Sequence, residues 1–245
     1  MGRNTDVGPM PEPSDPSPET HRRRWRRPAP HKAVEPELRN AAVFTDSRVE
    51  IEIDDAQTVT VRDYGRGIPL GKLMECAAQI NTGAKYDSKA FQKSVGLNGV
   101  GTKAVNALSD YFKVASFRDG KEKSAEFERG VLKKESKETA TKEENGTLIT
   151  FIPDESVFKN FHFVQEYLDN QFWNYCYLNA GLVMNLNGKR YVSKNGLLDL
   201  LQRKTNEDEI RYPIIHLKGE DIEIALTHEN AYGEEYYSFV NGQFT

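Results

Sequence analysis

The chain has 245 residues, 38% hydrophobic and 29% charged, with a formal net charge of −4. That length suits one large domain or one domain and part of another, and the acidic balance excludes a surface that binds polyanions throughout. Cys76 and Cys176 are too far apart in sequence for a CxxC site; this excludes a disulfide framework and fits a reducing cytosol. No apolar run approaches the ~20 residues of a membrane span, and no signal-peptide core opens the chain.

Eight of the eleven prolines fall within the first 36 residues, beside the basic run His21-Arg22-Arg23-Arg24-Trp25-Arg26-Arg27. Such a segment cannot bury enough apolar surface to offset the entropy of ordering, so residues 1–45 read as a disordered tail. The basic run reads as a solvated charge run or, alternatively, as an arm that contacts phosphates and stacks one aromatic ring on a base.

From Val49 the pattern becomes regular. Val49–Ile53 and Thr58–Arg62 alternate around a turn at Asp54–Gln57, which predicts a β-hairpin with one buried face. Leu73, Ala77 and Ile80 have helical spacing within Leu70–Ile80. A polar loop follows from Asn81 to Leu97, and Thr102–Leu108 reads as a helix. Strands are expected at Tyr111–Phe117, Lys123–Phe127 and Thr147–Ile152. Phe163–Asn179 is a long amphipathic helix with Phe172, Trp173 and Tyr175 as core residues. Leu182–Leu186 is a strand and Gly196–Leu201 a short helix. The polar stretch Thr205–Ile210 suggests a linker, after which Ile214–Leu217, Ile222–His228 and Tyr236–Val240 alternate as strands. The class is α+β, with strands in one layer and helices in another.

Two glycine motifs carry the chemistry. In Asp63-Tyr64-Gly65-Arg66-Gly67-Ile68-Pro69 a carboxylate ends a strand, where it can accept a hydrogen bond from an exocyclic amine. The glycines allow a flat base to approach the backbone, and Ile68 and Pro69 would form an apolar wall. The second motif, Gly96-Leu97-Asn98-Gly99-Val100-Gly101, opens the helix that begins near Thr102, so its free N–H groups can face phosphates. Lys85 and Lys103 flank it. It is not a P-loop, since Thr102 precedes Lys103, and it is not a dinucleotide fingerprint, since the order is G-x-x-G-x-G.

This order, with a base site, a helix and long loop, and then a phosphate site, resembles the GHKL ATPase superfamily. Within it, DYGRGIPLGKL, INTGAKYDSKAFQKSVGLNGVGTKAVNALS and YSFVNGQFT look very like the B subunits of type II DNA topoisomerases. The likeness runs from about Arg48 to Thr245. It implies a GHKL (Bergerat) sandwich over residues 46–205, a mixed sheet with helices on one face, and the start of a second, transducer domain over 206–245. It implies ATP as the bound nucleotide, with Asp63 reading adenine and Thr147 supporting it. Arg66, Gly67, Ile68, Pro69 and Ile80 would line the pocket, with Arg118 at its mouth. Lys85 and the backbone from Gly96 to Thr102 would hold the phosphates. For the intact family member it implies Mg²⁺, DNA, an A-type partner protein and an ATP-dependent dimer of B subunits, in the cytoplasm. Other GHKL members, such as chaperones or mismatch-repair ATPases, are alternatives, but the long loop fits them less well.

One part departs. The family carries a glutamate and, four positions on, an asparagine on a helix before the hairpin, for water activation and Mg²⁺. In Val34–Phe44, Glu37 and Asn40 are three apart and Glu35 and Asn40 five apart, with Pro36 between the glutamates. No catalytic residue or metal ligand is therefore assigned, and ATP hydrolysis by this chain is expected to be weak or absent.

Overall fold

A computed structural model describes residues 48–79, 100–240 and 242–245. The expected tail, the polar loop from Asn81 to Leu97 and the candidate residues Ile80, Lys85, Gly96, Leu97, Asn98 and Gly99 lie outside them, as does the Val34–Phe44 segment.

The expected hairpin is β1 (Arg48–Ile53) and β2 (Val59–Asp63), paired antiparallel. Its turn closes locally. The Thr58 N–H donates to the Asp54 carboxylate at 2.7 Å, and Gln57 takes the left-handed φ of 64°. The hairpin does not stand alone. A further antiparallel run comprises β3 (Ser109–Arg118), β4 (Lys121–Glu128), β5 (Val131–Glu135), β6 (Thr139–Ala140) and β7 (Gly146–Pro153). β8 (Val183–Leu186) and β9 (Lys189–Val192) complete the sheet. Among the described residues it has nine strands in the order β5-β4-β3-β7-β2-β1-β8-β9, with β6 on β4. The β1–β8 pair is parallel, so the sheet is mixed.

Alternation then sorts side chains by face. Val59, Val61 and Asp63 share one face with Phe112, Val114 and Ser116 of β3 and with Thr147, Ile149 and Phe151 of β7, because the register sets them opposite one another. The helices cover this face. α1 (Leu73–Ala78) buries Leu73 and Ala77 against Phe112, Val114, Ala125 and Phe127. α3 (Gln165–Leu178) buries Cys176 beside Ile51, Leu186 and Tyr191. Burying one Leu or Phe contributes ~1.5–3 kcal/mol, so these two clusters hold the helices to the sheet. α2 (Gly101–Ala107) is tied to α1 by Asn106, whose Nδ2 donates to the Ala77 carbonyl at 3.0 Å.

Several expectations shift. The first helix is shorter than Leu70–Ile80: Leu70–Lys72 is a 3₁₀ turn, and the α-helical part ends at Ala78. Tyr175 is 39% exposed, whereas Cys176 and Tyr177 are the buried residues of α3. Tyr175 and Tyr177 are too close in sequence for both to face the sheet of a 3.6-residue helix. β5, β6 and β9 lie outside the expected strands, β5 because all five of its positions are exposed and it shows no apolar alternation. α4 (Leu197–Lys204) runs three residues beyond the expected end.

Both cysteines are free, and burial pushes the Cys176 thiol up to about 11. β10 (Ile215–Lys218) and β11 (Glu223–Leu226) form a hairpin, and β12 (Phe239–Val240) pairs with β13 (Gln243–Phe244). The β10–β11 hairpin meets the start of α4 through Glu223, whose Oε1 accepts the Leu197 N–H at 3.3 Å and contacts His216 Nε2 at 2.8 Å. No helix among the described residues is long and apolar enough to cross a membrane.

Candidate functional site

The candidate base site lies where three adjacent strands end together. Asp63 is the last residue of β2. Its register partner is Thr147 near the start of β7, and the partner of Thr147 on the other side is Ser116 of β3. The three side chains therefore form one row on the helix-covered face. Thr147 is 9% exposed and Ser116 is fully buried. The row exists because β7 neighbours both β2 and β3, a pairing that no local pattern encodes.

After Asp63 the chain turns sharply. The Gly65 N–H donates to Asp63 Oδ1 at 2.9 Å. A Cβ on Gly65 would stand 3.1 Å from that same oxygen, so glycine leaves the carboxylate uncrowded. At Gly67 the requirement is stricter. Its φ is +71°, and a Cβ would lie 2.5 Å from the Phe117 carbonyl oxygen. Only a residue without Cβ allows the loop to press this closely on the end of β3. Two side chains then fix the loop. Ser116 Oγ donates to the Ile68 carbonyl at 2.7 Å, and Arg118 Nη1 donates to the Gly67 carbonyl at 3.4 Å.

Ile68 packs against the Leu73–Phe112 cluster, so it belongs to an apolar wall. Pro69 is exposed and instead starts the 3₁₀ turn, with its carbonyl accepting the Lys72 N–H at 2.8 Å. Arg66 is exposed. On the phosphate side, the described residues begin at Val100, which is 45% exposed and precedes the first turn of α2. Gly101 and Thr102 are exposed in that turn. Lys103, expected to flank the phosphates, is 8% exposed and lies close enough to Cys76 to act on its thiol. Helical geometry explains this, since Lys103 and Asn106 are three apart and share the face that meets α1.

Sequence reasoning missed the residues behind the row. Arg62 is 9% exposed on the opposite face of β2, with Nη1 donating to the Asp63 carbonyl at 2.7 Å and Nη2 to the Glu144 carbonyl at 2.6 Å. Its guanidinium lies 4.7 Å from the Tyr64 ring centroid and 4.5 Å from that of Phe117. Tyr64 is held in turn by Glu50, which accepts its hydroxyl hydrogen bond at 2.8 Å. Burial, and then Glu50, raise the Tyr64 hydroxyl above its ordinary value. Gly146 has φ +144°, and a Cβ there would collide with the Asp63 carbonyl oxygen and with Arg62 Nη1. The Asn145-Gly146 dipeptide is a turn signal that could have flagged this position. Nothing in Val-Thr-Val-Arg-Asp flags Arg62, because an outward charge on an alternating strand is ordinary.

Among the described residues no His, Cys, Asp and Glu are grouped so as to hold a metal. No family model matches the chain. Curated relatives do. The DNA topoisomerase 4 B subunit of Borreliella burgdorferi is 48% identical over 187 residues, covering 76% of this chain and 31% of the relative. The DNA gyrase B subunit of Helicobacter pylori strain 26695 is 32% identical over 223 residues, covering 82% of this chain and 29% of the relative. Among solved structures, the 43K ATPase domain of Thermus thermophilus gyrase B, in complex with an aminocoumarin, superposes with a TM-score of 0.63 at 22% identity. The match covers 81% of this chain and 56% of that one, a likeness of fold. The expected GHKL architecture is therefore the one found. The chain is homologous to the B subunits of DNA gyrase and DNA topoisomerase 4, both type II topoisomerases, and spans about a third of the length of these curated relatives.

Proposed function

We propose that this chain is the ATP-binding region of a type II DNA topoisomerase B subunit, with Asp63 reading the adenine amino group. The observation that carries the reading is the row of Asp63, Thr147 and Ser116 on the helix-covered face, closed by a loop whose Gly65 leaves room beside the carboxylate and whose Gly67 lets the loop press on the end of β3. Thr147 stands directly across from Asp63 and supports it. Ile68 borders the base, Arg118 holds the loop from the solvent side, and Lys85 with the backbone from Gly96 to Thr102 takes the phosphates. Residues 46–205 form the nucleotide-binding domain, and 206–245 begin the transducer.

In the parent protein ATP binding would drive dimerisation of B subunits around DNA, together with an A-type partner in the cytoplasm. Phosphoryl transfer of this kind rests on positioning and a metal. Mg²⁺ enters this reading only through intact relatives, because Val34–Phe44 lacks the expected spacing of glutamate and asparagine. The chain by itself is therefore a binder with turnover near background.

Calorimetric titration with ATP tests this. A hydrogen bond to a charged partner contributes about 1.5–3 kcal/mol, so Asp63→Ala should weaken binding by about 10- to 150-fold. Equal affinity for wild type and Asp63→Ala would overturn the assignment. Phosphate release by the same samples, if rapid and abolished by Glu37→Ala, would overturn the expectation of low turnover.

A further inference from the structure

We propose that Arg62 is a positioning residue for base recognition, acting from the face of the sheet opposite the pocket. The inference rests on the reading of Asp63 given above. The guanidinium is a planar fork with two bonds, one to β2 and one to the segment that leads into β7. Nη1 binds the carbonyl of Asp63 at 2.7 Å, and Nη2 binds the carbonyl of Glu144 at 2.6 Å. The first bond fixes the peptide plane that leaves Asp63, and hence the direction of its carboxylate relative to the strand. The second fixes the approach of the chain into Gly146-Thr147, so the two cross-strand partners are set from a single group.

The fork itself has little freedom. It lies between the rings of Tyr64 and Phe117, and Tyr64 is anchored by Glu50 on β1. Arg48 also stacks on Tyr64, 3.8 Å from the ring centroid, and pairs with both Glu50 and Glu144 at 3.7 Å. Gly146 supplies the space, since any side chain there would occupy the line between the fork and the Asp63 carbonyl. Lysine could not reproduce this arrangement, because its ammonium is a point donor without a planar fork. The chemistry is that of a rigid support behind a hydrogen-bonding side chain, where small displacements of the acceptor cost recognition.

The test separates positioning from general stability. The probes are ATP and purine riboside triphosphate, which lacks the 6-amino group and hence the bond to Asp63. The 245-residue chain should favour ATP by about tenfold or more, the fold-change of one charge-assisted hydrogen bond. Arg62→Met should bring the two nucleotides to within about threefold of each other, and Arg62→Lys should fall between. A purely structural role would lower both affinities by one common factor and leave the ratio unchanged. An unchanged ratio in Arg62→Met, or in Arg62→Lys if the methionine variant does not fold, overturns the inference and leaves the Asp63 reading standing. A wild-type chain that binds both nucleotides equally overturns the Asp63 reading, and this inference with it.

Discussion

On the helix-covered face of the sheet, Asp63, Thr147 and Ser116 stand in one row across β2, β7 and β3. One residue away along the same strand, Arg62 faces the other way, bonded to two carbonyls and enclosed by Tyr64 and Phe117. The first face holds groups that are short, polar and suited to a ligand. The second holds Arg62, whose hydrogen bonds are spent on two backbone carbonyls, and Tyr64, whose hydroxyl is spent on Glu50. One carboxylate oxygen, Asp63 Oδ1, accepts the Gly65 N–H within the turn, and Arg62 braces the backbone from the reverse side.

The largest expected effect breaks both faces together. Gly146 lies between them, and Gly146→Ala adds a Cβ at φ +144° against the Asp63 carbonyl. Strained backbone and overpacking each cost about 1–3 kcal/mol, so the variant should lose about 3 kcal/mol or more of stability by urea unfolding. A variant as stable as wild type would show that the β2–β7 contact is looser than described.

A smaller change isolates the ligand-facing side. Ser116→Ala removes the bond to the Ile68 carbonyl and leaves that acceptor without its partner. The loss should be about 1–3 kcal/mol in stability, with weaker ATP binding because the glycine loop is released. Unchanged ATP affinity with reduced stability would show that the loop does not depend on this anchor.

The smallest effect serves as a control remote from both faces of the site. Lys189, then Tyr191 and Gln165, hold the Asp169 carboxyl down to about 2. The unfolded chain titrates near the ordinary ~3.9, so this contribution is complete above about pH 4 and is lost as pH falls toward 2. The melting-temperature difference between wild type and Asp169→Asn should therefore be present at neutral pH and shrink as pH falls through that window, with ATP affinity at neutral pH unaltered. A difference that grows on acidification would contradict the assigned partners.

Much of this was legible in the chain. Alternation at Val49–Ile53 and Thr58–Arg62 found the hairpin, because a half-buried strand has to alternate. Asp63-x-Gly-x-Gly, by itself a common turn composition, marked a turn after an acidic strand end, and Gly65 and Gly67 stand in that turn. Local sequence also placed α2 to within a residue and most of α3. What it could not supply was adjacency. That β7 lies between β2 and β3, with Thr147 beside Asp63 and Ser116 beyond it, follows from pairings between segments far apart in the chain. The burial of Lys103 followed from the docking of α2 on α1, and the two hydrogen bonds of Arg62 from carbonyls of β2 and of the segment leading into β7, which meet only in the folded sheet. Sequence determined which residues could do the chemistry, because chemistry belongs to side-chain type. Tertiary structure decided which of them stand together and what holds them there, because distance between strands is not written in any one of them.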